Sequence, residues 1–144
     1  MASRPETTAI IIHCSGTVPT QDIGAREIDR LHRMRGMFRI GYHWVIRRDG
    51  TVEKGRDEHM IGAHSGAGTD AASVGVCLVG GVDADLRPED NFTSTQMSAL
   101  GWLVLAIEDR YPDVLTVIGH RDVPGAKTTC PSFDVCAWVR DTLP

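Results

Sequence analysis

Three short apolar runs constrain this chain most. Thr8 to His13, Val74 to Val79 and Val114 to Gly119 are each dominated by Val, Ile and Leu. Runs of this length and β-branched content suit strands buried on both faces rather than helices. The segments between them carry helix and hairpin punctuation. Asp22 reads as the cap of a helix running to about Met34, with Ile28, Leu31 and Met34 on one face and Arg26, Asp29, Arg30 and Arg33 on the wet side. Asp49-Gly50, between two β-rich runs in Gly41 to Gly55, is a hairpin signal of the type I′ kind. Thr93 and Gln96 form a capping box ahead of Met97, Leu100, Val104, Ile107 and Tyr111 at alternating spacings of three and four. Pro112 ends that helix. Ser132 reads as the cap of a last helix to about Thr142.

The order is strand, helix, hairpin, strand, helix, strand, helix. It predicts one α/β (α+β-like) domain, a central sheet flanked by about three helices. A length of 144 residues fits one such domain. Residues 1–7 read as a loose polar tail, and 8–144 as the folded domain. The stretch from Arg56 to Ser73 is long, Gly-rich and contains His59 and His64. Stretches of that kind in small domains are usually functional or mobile.

Nineteen acids against fifteen bases give a net charge of −4, which argues against a dedicated nucleic-acid binder. No apolar run approaches the ~18 residues that span a bilayer, so membrane insertion is not expected. The start, MASRPETT, has no apolar core of a secretory signal. Synthesis in the cytoplasm is therefore expected. Cys14, Cys77, Cys130 and Cys136 contain no C-x-x-C spacing. In a reducing compartment each reads first as a small buried hydrophobe.

His13 and His120 each fall at the C-terminal end of a predicted strand, where ligand crevices of open α/β sheets commonly lie. Cys130 follows His120 across a loop containing Pro and Gly. Two imidazoles and a thiolate suit zinc with a position left for water. The same residues also read as a Cys130 nucleophile with His120 as its base. A third reading is a binding module whose histidines only hydrogen-bond a ligand.

Six motifs in register narrow these readings: His13-Cys-Ser-Gly, Gly41-Tyr-His-Trp, Arg48-Asp-Gly-Thr-Val, Val76-Cys-Leu-Val-Gly-Gly, Gly119-His-Arg-Asp and Cys130-Pro-Ser-Phe-Asp. Over about residues 8 to 138 the chain resembles the zinc N-acetylmuramoyl-L-alanine amidases of the phage-lysozyme type, relatives of peptidoglycan recognition proteins. The resemblance implies a mixed central sheet with helices on both sides. It also implies one Zn2+ per chain, held at the positions of His13, His120 and Cys130. Tyr42 matches the family's catalytic tyrosine. The second catalytic position, two residues before the ligand cysteine, falls on Thr128, and a longer loop here leaves Lys127 open for the same role. His64 matches a histidine near the site and is expected at the substrate, against the plainer reading of a solvent-exposed loop residue. His43 and His32 read as structural. Asp122 reads either as an orienter of His120 or as a turn residue. Cys14 reads as a packed thiol pointing away from the metal.

The implied substrate is peptidoglycan, cut at the amide between the muramic acid lactyl group and L-Ala. A monomer without a separate wall-binding domain is expected, waiting in the cytoplasm until the membrane is breached. That is the pattern of compact endolysins acting on thin walls. A bacterial recycling amidase, or a recognition protein that binds without cutting, are the rivals, although non-cutting relatives generally lose the zinc cysteine. Some phage relatives also bind an RNA polymerase, a partner that here rests on the resemblance alone.

Overall fold

The computed structural model describes residues 2–144. Five strands form one sheet: β1 (Ala9–Cys14), β2 (Trp44–Ile46), β3 (Val52–Lys54), β4 (Ser73–Leu78) and β5 (Thr116–Gly119), in the order β3-β2-β4-β1-β5. Strands β2, β4, β1 and β5 run parallel, and β3 returns antiparallel to β2 at the edge. The sheet is therefore mixed. The helices are α1 (Ala25–Met34), a one-turn α2 (Ala67–Asp70), α3 (Ser94–Arg110) and α4 (Val135–Thr142).

Alternation along the strands splits the core in two. Ile10, Ile12, Ile46, Val74, Val76 and Leu78 point to the face covered by α3, through Leu100, Leu103, Val104 and Ile107, and by Val135 of α4. Val45, Cys77 and Val79 point to the other face, where Ile23, Ile28 and Ile40 cover them. Strands β1 and β4 are thus buried on both sides, as their composition predicts. β5 forms the far edge, and its Thr116 stays exposed. The capping box of α3 forms as read: Gln96 N–H donates to Thr93 Oγ1 at 3.0 Å, and Thr93 N–H donates to Gln96 Oε1 at 3.0 Å.

Four local expectations change. Helix α1 starts after Gly24, where Glu27 accepts Gly24 N–H and Glu53 accepts Ala25 N–H, each at 2.9 Å, while Asp22 pairs with Arg47 at 3.0 Å. Its buried stripe is Ile28 and His32, while Leu31 and Met34 are 41% and 76% exposed. The hairpin turn is not type I′. Only Gly50 has positive φ (89°), and Asp49 instead accepts Thr51 N–H at 2.9 Å. With Arg47 N–H bonded to Thr51 O, this is a three-residue loop closed by a left-handed glycine. Helix α4 is capped by Asp134, which accepts Ala137 N–H at 3.0 Å, rather than by Ser132.

The polar tail is not loose over its described residues. Ser3 bridges Met60, Ile61 N–H donates to Ala2 O at 2.9 Å, and the Arg4 guanidinium donates to Glu58 O. Met1 lies outside the described residues.

Candidate metal centre and active site

Strand register brings the histidines together. Ile12 of β1 pairs with Gly119 of β5, so the next residues, His13 and His120, lie side by side. Their ring centroids are 4.7 Å apart. His120 opens a single 3-10 turn, His120–Asp122. Asp122 serves that turn, accepting Gly119 N–H at 2.9 Å, which is the turn reading rather than the orienter reading.

The loop after this turn folds back. Arg121 N–H donates to Cys130 O at 2.8 Å, and Ser132 Oγ donates to Gly81 O at 2.8 Å. These bonds set Cys130 against the end of β1. Its sulfur accepts Cys14 N–H at 3.2 Å and faces His13 Nδ1 at 3.9 Å.

One donor atom each from His13, His120 and Cys130 lies within 4.8 Å of the others. Among the described residues no other group of three such side chains converges in this way. Two neutral imidazoles and a sulfur are a donor set that zinc takes. Burial, and then the neighbouring histidines, push His13 well below the usual imidazole range, and burial lowers His120 too. Both are therefore in the uncharged form that can donate a lone pair. The Cys14 side chain and burial push the Cys130 thiol up, against the Cys14 backbone N–H, which holds it down; without a cation the thiolate is disfavoured both as a nucleophile and as a ligand. The imidazole nitrogen that faces its sulfur belongs to His13, not to His120. The three donors converge as a cation site would need, and the geometry does not pair the thiol with His120 as its base.

Tyr42 sits just ahead of β2 rather than on a strand. Its ring lies 5.0 Å from the His13 ring and 5.3 Å from that of His32. His32 accepts Gly41 N–H at 3.0 Å, and buried Arg56 donates to Ile40 O at 3.0 Å and Ile61 O at 2.9 Å. These bonds hold the Tyr42 segment in place. Burial raises the Tyr42 phenol well above its ordinary range, so it stays protonated and able to donate. Thr128 is exposed, and its hydroxyl oxygen accepts Cys130 N–H at 3.1 Å. Lys127 is exposed and, among the described residues, makes no side-chain hydrogen bond or ion pair.

His64 is not at the surface. Its side chain is fully buried, and its Nδ1 meets His13 Nε2 at 2.8 Å, which leaves no face of the ring for a substrate. His43 is structural: its Nδ1 accepts Gly75 N–H at 2.9 Å and its Nε2 meets Met60 O at 2.7 Å. Cys14 also meets Cys130, through a backbone N–H that donates to its sulfur, a contact that the reading of Cys14 as a packed thiol does not include. Sequence reasoning missed Ser73, Asp70 and Arg56. The one available signal was Gly75, an isolated glycine in a β-branched run, which marks a close approach.

Comparison with known proteins places the chain in a family. Residues 3–133 match the N-acetylmuramoyl-L-alanine amidase family. The chain is 48% identical over 135 residues to the endolysin of Klebsiella phage KP32, covering 94% of this chain and 87% of that protein. It is 44% identical over 135 residues to the endolysin of Escherichia phage T7, with the same shares covered. Among solved structures, the N-acetylmuramoyl-L-alanine amidase LysC from Clostridium intestinale superposes with a TM-score of 0.80 at 26% identity, over 98% of this chain and 92% of that one. With the family match over residues 3–133, the likeness to phage endolysins over nearly the whole length and the shared fold, the chain belongs to the N-acetylmuramoyl-L-alanine amidase family.

Proposed function

We propose that this chain is an endolysin-like peptidoglycan amidase, which hydrolyses the amide between the muramic acid lactyl group and the L-Ala of the stem peptide. The carrying observation is the convergence of His13, His120 and Cys130 at the ends of β1 and β5 in a chain of the amidase family. These three would hold one zinc ion. When bound, zinc supplies Lewis acidity, polarising the amide carbonyl and making water nucleophilic near neutral pH.

The remaining work falls to the protein. An amide under attack gathers negative charge on its carbonyl oxygen. The Tyr42 hydroxyl, kept protonated by burial, donates a hydrogen bond to that charge. Thr128, two residues before Cys130, assists. Its oxygen already accepts Cys130 N–H, so its own proton is free for the substrate. Lys127 is the less favoured occupant of that role, because nothing fixes its side chain. His13 and His120 act as neutral donors, and Cys14 N–H steadies the Cys130 sulfur. We further propose that the chain acts as a monomer on the cell wall after the inner membrane is breached, as its likeness to phage endolysins supports. Among the described residues no helix is long and apolar enough to cross a membrane.

Digestion of purified sacculi tests the reading. The expected products are intact stem peptides with free L-Ala amines and uncut glycan strands. New reducing sugar ends with peptides still attached overturn it.

A further inference from the structure

His13 has two ring nitrogens, and only Nδ1 faces Cys130. The other, Nε2, meets His64 Nδ1 at 2.8 Å in a buried contact. Which of these two nitrogens carries a proton decides whether His13 can ligate a metal at all, because a ligating nitrogen must present a lone pair.

The answer starts at Ser73. Its single hydroxyl proton is committed to the Thr69 carbonyl at 2.6 Å. Towards His64 Nε2, 3.4 Å away, Ser73 Oγ can therefore only accept. The Asp70 carboxylate lies 3.6 Å from the same nitrogen and also offers only lone pairs. Both neighbours place the His64 proton on Nε2. A neutral His64 ring then turns a lone pair on Nδ1 towards His13. His13 Nε2 must in turn be the donor, which leaves the His13 Nδ1 lone pair aimed at the donor set.

The packing is built for this relay. A Cβ on Gly75 would lie 2.7 Å from the His64 ring, and one on Gly62 would lie 2.6 Å from it. The two glycines leave the slot that the ring fills. Asp70 fixes the loop entering the slot, accepting His64 N–H at 3.0 Å and Ser65 N–H at 2.8 Å.

We propose that Ser73 and His64 form a tautomer relay that sets His13 as the Nε2–H form, so that its Nδ1 lone pair is presented before any ion arrives. His64 is thus a positioning residue for the metal ligand, not a substrate contact. The inference deepens the amidase reading of the same site and rests on it for the identity of the ion. The tautomers themselves do not depend on that reading.

Long-range 15N–1H NMR of the full, metal-free chain at neutral pH reads both rings directly. The expected spectrum has His13 and His64 each protonated on Nε2. A proton on Nδ1 of either ring overturns the relay. Zinc affinity, measured by chelator competition, gives the second readout. His64→Leu should bind zinc roughly 10–100-fold more weakly. His64→Gln, whose amide carbonyl can still accept from His13, should recover most of that loss. Wild-type affinity in His64→Leu, or no recovery in His64→Gln, contradicts the relay. If His64→Leu does not fold, the wild-type spectrum still decides. A wild-type chain that shows the expected tautomers but binds no zinc would sink the zinc reading and leave the relay standing.

Discussion

The two histidines of the site are held in opposite ways. His13 lies on an interior strand, β1, is 1% exposed, and has its second nitrogen engaged by His64. His120 follows the edge strand, is only partly buried, and among the described residues no hydrogen bond holds its ring. His13 is therefore an anchor built into the sheet, and His120 an adjustable donor beside it. Cys130 belongs with His120: it comes from the same loop and is tied to that turn through Arg121 N–H. A metal ion would join a rigid half-site on β1 to a looser half-site after β5.

Substitutions separate the halves. Cys130→Ser should cause the largest loss, removing zinc binding and lytic activity together, because an alcohol is a far poorer zinc ligand than a thiolate. Lysis at the wild-type rate would refute both the metal reading and the thiol-nucleophile reading. Cys14→Ser, on the rigid side, should cost roughly 1–2 kcal/mol of stability, with activity retained. Tyr42→Phe should come next, folded and zinc-binding, with kcat lower by about 10²–10³ and near-normal binding to sacculi. Turnover above about a third of wild type would make Tyr42 a packing residue only.

The rigid half also carries a pH signature. Burial holds His43 down to about 4, whereas in the unfolded chain it titrates near ~6.5. Between those values the unfolded state binds more protons, so the stability that His43 contributes is complete above ~6.5 and falls with pH towards about 4. In urea unfolding of the metal-free chain His43 should contribute up to ~1.4 kcal/mol per pH unit, added to the shares of His13, His64, His32 and His120, which burial also lowers. His43→Gln should reduce the slope by that share, and an unchanged slope would exclude His43 as a contributor.

A smaller contrast compares the anchors themselves. His13→Ala leaves the buried His64 nitrogen without its partner, which should destabilise the metal-free chain by about 1–3 kcal/mol. His120→Ala should change it by no more than about 0.5 kcal/mol. Equal losses would erase the distinction between the half-sites. The smallest effect is expected where Thr128→Ala slows turnover more than Lys127→Ala. The reverse order would move the assisting role to Lys127.

The same division explains what the sequence could tell. Apolar runs mark β1 and β4 because both faces of an interior strand must be apolar, and motif order connects the chain to its family although His13 and His120 stand 107 positions apart. The spacing of His13, His120 and Cys130 alone does not place them together. That needs the parallel register of β1 with β5. The face of α1 was misread because a histidine, His32, takes a buried position by accepting Gly41 N–H, while Leu31 and Met34 turn outward. His64 was misplaced for a related reason. A Gly-rich loop reads as exposed, and only the slot over Gly75 shows where its ring goes. Ser73 and Asp70 carry no pattern of their own. Their part follows from which atoms the fold sets against His64.

Zinc content measured alongside activity tests the central claim most directly. Chains prepared with graded amounts of metal should show peptide release from sacculi that rises in proportion to bound zinc and saturates at one ion per chain. A chain stripped of metal that still releases stem peptides at the full rate would contradict it.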